Sequence, residues 1–322
     1  MKNPRIENIK SPLPLSVVML TLNEEYHLPS VIENIRNWAE DIFIVDSFST
    51  DKTISIALKH DIKVFQRSFT NFGDQWNWAL ENLPVKTPWT LKLDPDERLS
   101  PELKLQIESA IRDSDTFDGY SFPRRLWFMG KPLHVKQDVL RLWKTGKCRF
   151  SDVIVNEQPL IDGEVGRLNA LMEHYDSRDL QHWYDKQNRY STMEAIMRFN
   201  GDKLAAEPKF WGKKLQRRMF YKKWIWKMPY RYQLLYLYHL LCKGAWRDGR
   251  AGRAWARLRT EVYRMRELKF LEMKNNGNTA VIPKIPQGRC YPGNLSHPDK
   301  ILSIETCDFN SGETLLSKSY NI

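Results

Sequence analysis

The chain has 322 residues, 42% of them hydrophobic, which suits one large α/β domain with an appendage and excludes an intrinsically disordered polymer. No apolar run approaches the roughly 20 residues needed to span a bilayer, and Cys148, Cys242, Cys290 and Cys307 fit neither a zinc pattern nor a disulfide framework. Charge is unevenly placed: residues 1–200 hold 26 Lys/Arg against 29 Asp/Glu, and residues 201–322 hold 24 against 10, so the basic excess belongs to the final third.

The first apolar run, LPLSVVML (13–20), is too short for a signal peptide and lacks a cleavage pattern, so residence in the cytoplasm is expected. From there, β-branched apolar runs at 15–20, 41–46, 61–65 and 89–94 read as strands. They alternate with helical patterns at 28–39, 51–60 and 74–82, with Asp51 expected as the N-cap of the second. That alternation predicts parallel βαβ units with ligand loops at the carboxyl ends of the strands. Polar clusters fall at those ends: Thr21, Asn23 and Glu24, then Asp46, Ser47 and Ser49, then Asp94, Asp96 and Glu97. Further on, 101–113 reads as a helix, 119–128 and 138–143 as strands and 178–200 as a helix, while 276–322 is irregular and punctuated by Pro and Gly.

LKLDPDERL (91–99) is the most pointed of the clusters. Two carboxylates spaced i, i+2 after an apolar strand supply the hard oxygen ligands a divalent cation requires, and such a cation makes a nucleotide diphosphate a better leaving group. The bland alternative is a solvated turn, with Glu97 capping the helix that follows. TLNEE (21–25), VDSFSTDKT (45–53) and LKLDPDE (91–97) nevertheless occur in order at strand ends, and they are joined by QWNWALE (75–81), GKPLHVKQDVLRLWK (130–144), VIVNEQPLIDGEVGRL (153–168), LQHWYDKQNRYS (180–191) and DGRAGRAWARLR (248–259).

Over about residues 14–270 the chain thereby resembles the inverting family 2 glycosyltransferases, in particular the branch of lipopolysaccharide-core glucosyltransferases and polysaccharide-assembly enzymes. The resemblance implies a GT-A fold, which is α/β and Rossmann-like with a mostly parallel sheet flanked by helices, here carrying a helical, basic-aromatic C-terminal extension. It also implies a UDP-hexose donor, a glycan or glycolipid acceptor, and Mg²⁺ or Mn²⁺. Thr21, Asn23, Glu24, Asp46 and Ser47 would line the donor's nucleotide pocket, Asp46 being suited to accept the N3–H of a pyrimidine. Asp94 and Asp96 would hold ribose, metal and diphosphate, with His174 as a further metal ligand. Arg141 and Gln75 fall at donor-contacting positions, while Trp76 stands where the family usually has a basic residue. Each also has a structural reading: Asn23 and Ser47 as turn formers, Asp46 as a helix cap, His174 as a buried side chain, Arg141 as a structural arginine.

Inversion by direct displacement needs a base for the acceptor hydroxyl. The resemblance points to Glu157, although Asn156 replaces the family's histidine before it; Asp152 is the runner-up. The alternative for Glu157 is a plain ion pair with Arg141 or Arg167.

In chain order the expected organisation is a nucleotide-sugar-binding and catalytic domain at 1–205, a helical membrane-associating region at 206–275 and an irregular tail at 276–322. Residues 209–247 contain eleven Lys/Arg and no Asp/Glu, interleaved with nine Trp and Tyr residues that include Trp211, Tyr230 and Trp246. Cationic and aromatic side chains of this kind favour an anionic membrane surface, placing the protein peripherally on the inner face of the plasma membrane, with no nucleic-acid partner. The alternative readings are a basic nucleic-acid-binding protein, which leaves the acidic cluster unexplained, and a nucleotidylyltransferase, which requires a Gly-rich loop that TLNEEYH lacks.

Overall fold

The computed structural model describes residues 12–112, 116–151, 157–201, 207–212, 216–217, 220–221, 224 and 228–279. The chain opens with β1 (Leu13–Thr21), α1 (Leu28–Ile35), β2 (Ala39–Asp46), α2 (Thr53–Lys59), β3 (Lys63–Gln66), α3 (Phe72–Asn82) and β4 (Trp89–Lys92). There follow β5 (Glu97–Leu99), α4 (Pro101–Arg112), the long hairpin of β6 (Gly119–Phe128) and β7 (Lys131–Lys144), the short strands β8 (Cys148–Phe150), β9 (Pro159–Ile161), β10 (Val165–Arg167) and β11 (Met172–His174), and then α5 (Leu180–Asn200). Beyond them, α6 (Arg231–Leu237) runs through a π-helical turn at Tyr238–Cys242 and a 3₁₀ turn at Ala245–Asp248 into α7 (Gly249–Asn276).

One sheet organises these elements, in the order β3-β2-β1-β4-β7-β6-β11-β5 with β10 beside β6. The first four strands in that order are mutually parallel. β7 is antiparallel to β4 and β6, β11 is parallel to β6, and β5 returns antiparallel to β11. The expected α/β architecture, a mostly parallel sheet flanked by helices with a helical C-terminal region, is the one observed.

β1 lies at the centre because almost all of it is apolar, as a parallel strand covered on both faces requires. Leu15, Val17 and Met19 pack on one face with Leu28, Ile32, Leu103 and Ile107 of α1 and α4. On the other face, Val18 packs with Trp76 and Ala79 of α3, and with Trp143 and Phe150. A third cluster joins Phe128, Leu133 and Val135 of the hairpin to Trp183 of α5, Ala245, and Trp255 and Ala256 of α7. The final helices thus share a core with the body across the expected division at residue 205. Gly252 shows how closely they fit, since a Cβ there would lie 1.9 Å from the Ala245 carbonyl oxygen.

Local departures from the expected elements have local causes. α1 stops four residues early because the chain turns at Asn37, whose φ is +60. At α2 the N-cap position falls on Lys52, one residue after Asp51; the Asp51 carboxylate accepts from the Thr53 amide at the helix start at 2.9 Å and from the Glu25 amide at 3.0 Å, so it also holds two loops together. α3 begins at Phe72 because the Asn71 side chain accepts from the Asp74 amide. No helix among the described residues is long and apolar enough to cross a membrane.

Candidate active site

The loops after β1, β2 and β4 share one edge of the sheet because those strands are parallel neighbours. Thr21 and Asp46 are register partners there, and the Thr21 hydroxyl donates to Asp46 Oδ1 at 2.8 Å. Ser49 donates to the same carboxylate through its amide, at 2.8 Å, and through its hydroxyl. Asp46 is 0% exposed, and burial pushes its carboxyl above the ordinary range against these hydrogen bonds. As observed, Asp46 knits the β1 and β2 loops together, and with Gln66 Nε2 3.5 Å from Oδ2 four protein donors meet its carboxylate, so to accept from a base it would have to give up one of them. Asn23, at φ +58, does similar work: its side-chain oxygen accepts from the Thr50 amide at 2.7 Å, and its amide donates to the Ser49 hydroxyl at 2.8 Å. Buried Gln75 donates to Ser47 Oγ at 3.4 Å and accepts from Arg67 at 2.7 Å, so the two residues meet under the β2 loop.

Asp94 and Asp96 leave β4 in different company. Asp94 lies 2.6 Å from Arg141 Nη2 and 3.7 Å from Lys92 Nζ. Arg141 also binds Glu97, which is fully buried, accepts from Arg124 at 3.0 Å and receives the Asp94 amide at 2.9 Å. Burial opposes charge on Asp94, but Arg141 and Lys92 hold its carboxyl down at about 2. Asp96 Oδ2 instead lies 3.3 Å from His174 Nε2 and 3.2 Å from Lys186 Nζ. Lys186 reaches Asp176 as well, at 3.1 Å. Against burial, these partners hold Asp96 and Asp176 below the usual carboxylate range.

Among the described residues, the group able to hold a metal ion is Asp96, His174 and Asp176, whose ligand atoms lie within 4.8 Å of one another. Two carboxylates and one imidazole suit Mn²⁺ or Mg²⁺, with hard oxygen donors predominating. Asp94, expected beside Asp96 as a metal ligand, is not in this group; its carboxylate is turned to Arg141 and Lys92. Glu24 borders the group: burial, then repulsion by Asp96 and Asp94, pushes its carboxyl up to about 8.

Glu157 sits at the rim with its Oε1 3.3 Å from Lys92 Nζ. Its partner is thus neither Arg141 nor Arg167, the latter being paired with Asp138. The Lys92 ammonium lies over the Trp76 ring, 4.0 Å from its centroid, which restores a cation beside Trp76 from the neighbouring strand. Asp152 and Asn156 lie outside the described residues.

The structure therefore brings Glu24, Asp94, Asp96, Arg141, Glu157 and His174 to one edge, and leaves Thr21, Asn23, Asp46, Ser47 and Gln75 in the hydrogen-bonded walls beside it. Sequence reasoning missed Lys92, Asp176, Lys186 and Tyr190, the last a tyrosine beside Lys186 and Asp96 whose hydroxyl burial pushes up to about 12. His174 and Asp176 repeat the i, i+2 spacing of Asp94 and Asp96, and Lys186 and Tyr190 are one turn apart on α5, but neither spacing shows that its pair meets Asp96.

The chain is similar to several known glycosyltransferases. The pattern of glycosyl transferase family 2 matches residues 16–150. The lipopolysaccharide core biosynthesis glycosyltransferase LpsC of Rhizobium meliloti strain 1021 is 31% identical over 252 residues, covering 74% of this chain and 85% of its own. An uncharacterized glycosyltransferase of Rickettsia typhi, RT0209, is 26% identical over 221 residues, covering 61% of this chain and 74% of its own. Among solved structures, glucosyl-3-phosphoglycerate synthase from Mycobacterium tuberculosis in complex with Mn²⁺, UDP and glucosyl-3-phosphoglycerate covers 59% of this chain and 81% of its own, at 14% identity and a TM-score of 0.39. By the family pattern and the extent of its likeness to LpsC, this chain is a glycosyltransferase and belongs to glycosyl transferase family 2.

Proposed function

We propose that this glycosyltransferase moves a hexose, with inversion, from a UDP-sugar to a lipopolysaccharide-core or other lipid-linked glycan acceptor, and that it depends on Mg²⁺ or Mn²⁺. The observation that carries the reading is the convergence of Asp96, His174 and Asp176 with Asp94, Arg141 and Glu157 at the carboxyl ends of β1 and β4. The likeness to LpsC supports the choice of acceptor. Of the two enzyme readings open in the sequence, the family assignment decides against the nucleotidylyltransferase.

When bound by Asp96, His174 and Asp176, the ion supplies the positive charge that makes the diphosphate a better leaving group. The protein's own residues do the rest. Arg141 and Lys92 keep Asp94 ionised and fixed, ready to accept from a sugar or ribose hydroxyl. Thr21, Asn23, Asp46 and Ser49 hold the nucleotide-facing loops in register, with Asn23, Asp46, Ser47 and Gln75 as the donor-pocket wall. Glu157 takes the proton of the acceptor hydroxyl at a carboxylate oxygen, and its pairing with Lys92 at 3.3 Å orients that carboxylate. A positioned base contributes roughly 10²–10⁴-fold in rate.

The acceptor's lipid confines the reaction to a bilayer surface, and the C-terminal helices suit that surface. Leu234, Leu237, Tyr238 and Leu241 are exposed at i, i+3, i+4 and i+7, while Leu235 and His239 between them are buried. Trp211, Tyr230 and Trp246 are exposed too, among the cationic residues of 209–247. An outward apolar stripe set in cationic and aromatic side chains fits the headgroup region of an anionic membrane, peripherally on the cytoplasmic face.

A screen of nucleotide sugars for UDP release, with lipopolysaccharide extract as acceptor and Mn²⁺ or EDTA present, tests the reading. Turnover with a UDP-hexose is expected, abolished by EDTA. The Glu157→Gln variant should lose roughly 10²-fold or more in kcat while binding UDP normally. Normal turnover by that variant reassigns the base; no release with any donor ends the reading.

A further inference from the structure

The atoms that would bind a divalent ion already hold a cation. Lys186 Nζ donates to Asp96 Oδ2 at 3.2 Å and to the Asp176 carbonyl oxygen at 3.0 Å, and lies 3.1 Å from Asp176 Oδ1. His174 Nε2 lies 3.3 Å from the same Asp96 oxygen and 3.9 Å from the same Asp176 oxygen. The ammonium and the imidazole therefore converge on one pair of carboxylate oxygens. A divalent ion such as Mg²⁺ binds such oxygens at about 2.0–2.1 Å. An ammonium in contact with both would then be held against a second, stronger positive charge with no intervening layer of solvent.

We propose that Lys186 is a built-in counterion of the Asp96, His174 and Asp176 group, and that a divalent ion enters the site by exchange with its ammonium. The inference rests on the metal-dependent reading above and adds a residue and an order of events to it. Lys186 is suited to the exchange because its charge sits at the end of a flexible four-carbon stem, so it withdraws by side-chain rotation while α5 stays in place. Before the exchange, the lysine ties α5 to both the β4 loop and the segment after β11. After it, the two carboxylates face a double positive charge in place of a single one, and a free ammonium stands at the edge where the donor's anionic diphosphate arrives. The lysine thus keeps the two carboxylates neutralised without metal, weakens metal binding to the empty enzyme and becomes available to the donor once metal is in.

The test is made on the full chain without nucleotide. Mn²⁺ binding to the unmodified protein and to Lys186→Met is followed by the loss of the free-ion paramagnetic resonance signal. Acylation of Lys186 by an N-hydroxysuccinimide ester is read in parallel by mass spectrometry on the unmodified protein. Removal of the competing charge should tighten Mn²⁺ binding about tenfold or more in Lys186→Met, a direction opposite to that of any structural damage. Saturating Mn²⁺ should raise acylation of Lys186 severalfold, and this arm needs no variant to fold. Equal or weaker Mn²⁺ binding by a folded Lys186→Met, or unchanged acylation under saturating Mn²⁺, overturns the exchange and leaves metal dependence standing. Absence of Mn²⁺ binding by both proteins overturns the exchange and metal dependence together.

Discussion

Glu24 occupies a position where the acidic edge works against itself. Burial raises its carboxyl most, and repulsion by Asp96 and Asp94 adds to this, against the Lys186 ammonium, to give a value of about 8 in place of 4.5. Between those two values the folded chain keeps a proton that the unfolded chain releases, so the contribution of this group to stability falls as pH rises from about 4.5 to about 8. Glu24→Gln cannot release a proton; it should flatten that slope and stabilise the protein at pH 9 relative to the unmodified chain, by an amount on the order of a few kcal/mol. Thermal melts of both proteins across that range are the check, and parallel slopes would assign the pH dependence elsewhere. At this scale the acidic pair after β4 was legible because its spacing and its place after an apolar strand are local facts. Asp176 and Lys186 were not, because they join Asp96 only when β11 pairs with β5 and α5 packs across the edge. Asp46 was read as a base-facing acceptor, which its residue type allows; no sequence rule reveals that Thr21 and Ser49 already engage both of its oxygens.

Elements show the same division between local and long-range causes. β1 to β4 with α1 to α3 were readable from apolar period and length, since each βαβ unit is contiguous. β5, β8, β9, β10 and β11 went unseen because each has three residues, too few for a period, and is a strand only through partners far away in sequence. α7 depends on a contact nearer in sequence, the approach of Gly252 to the Ala245 carbonyl seven residues before it, where an added methyl has no room. Gly252→Ala should therefore lower stability by about 1–3 kcal/mol even though alanine favours helix, because overpacking outweighs propensity. Denaturant melts measure it; a stabilised variant would mean that the turn and α7 separate easily. Since that contact also closes the cluster of Trp183, Trp255 and the hairpin, the loss should extend to α5.

Across the whole molecule, the excess positive charge and an exposed apolar stripe gather in the same final third of the chain. The body is close to neutral, and the excess of +14 lies beyond residue 200, where the outward stripe of Leu234, Leu237, Tyr238 and Leu241 also lies. Each cationic side chain near an anionic bilayer contributes about 1 kcal/mol and is screened by salt. The protein should sediment with anionic vesicles at low ionic strength, release as salt is raised, and bind poorly once Leu237→Asp and Leu241→Asp are combined. Vesicle binding indifferent to salt, or unaffected by the double substitution, would remove this surface from the account. The α/β class was legible from the first hundred residues; the shared core under α5 and α7 was not, because aromatic residues at 211–255 suit a membrane and a protein interior equally well. The antiparallel pairing of β11 with β5 sets His174 opposite Glu97, and the Tyr175 amide donates to the Asp96 carbonyl at 2.8 Å. Side chains on a strand alternate, so one extra residue in the 168–171 connection would present Glu173 where His174 now stands and turn the imidazole to the opposite face. Length in that short connection is therefore under tighter constraint than its composition, and a library that varies its residues at fixed length should retain function far more often than one that adds or removes a single position.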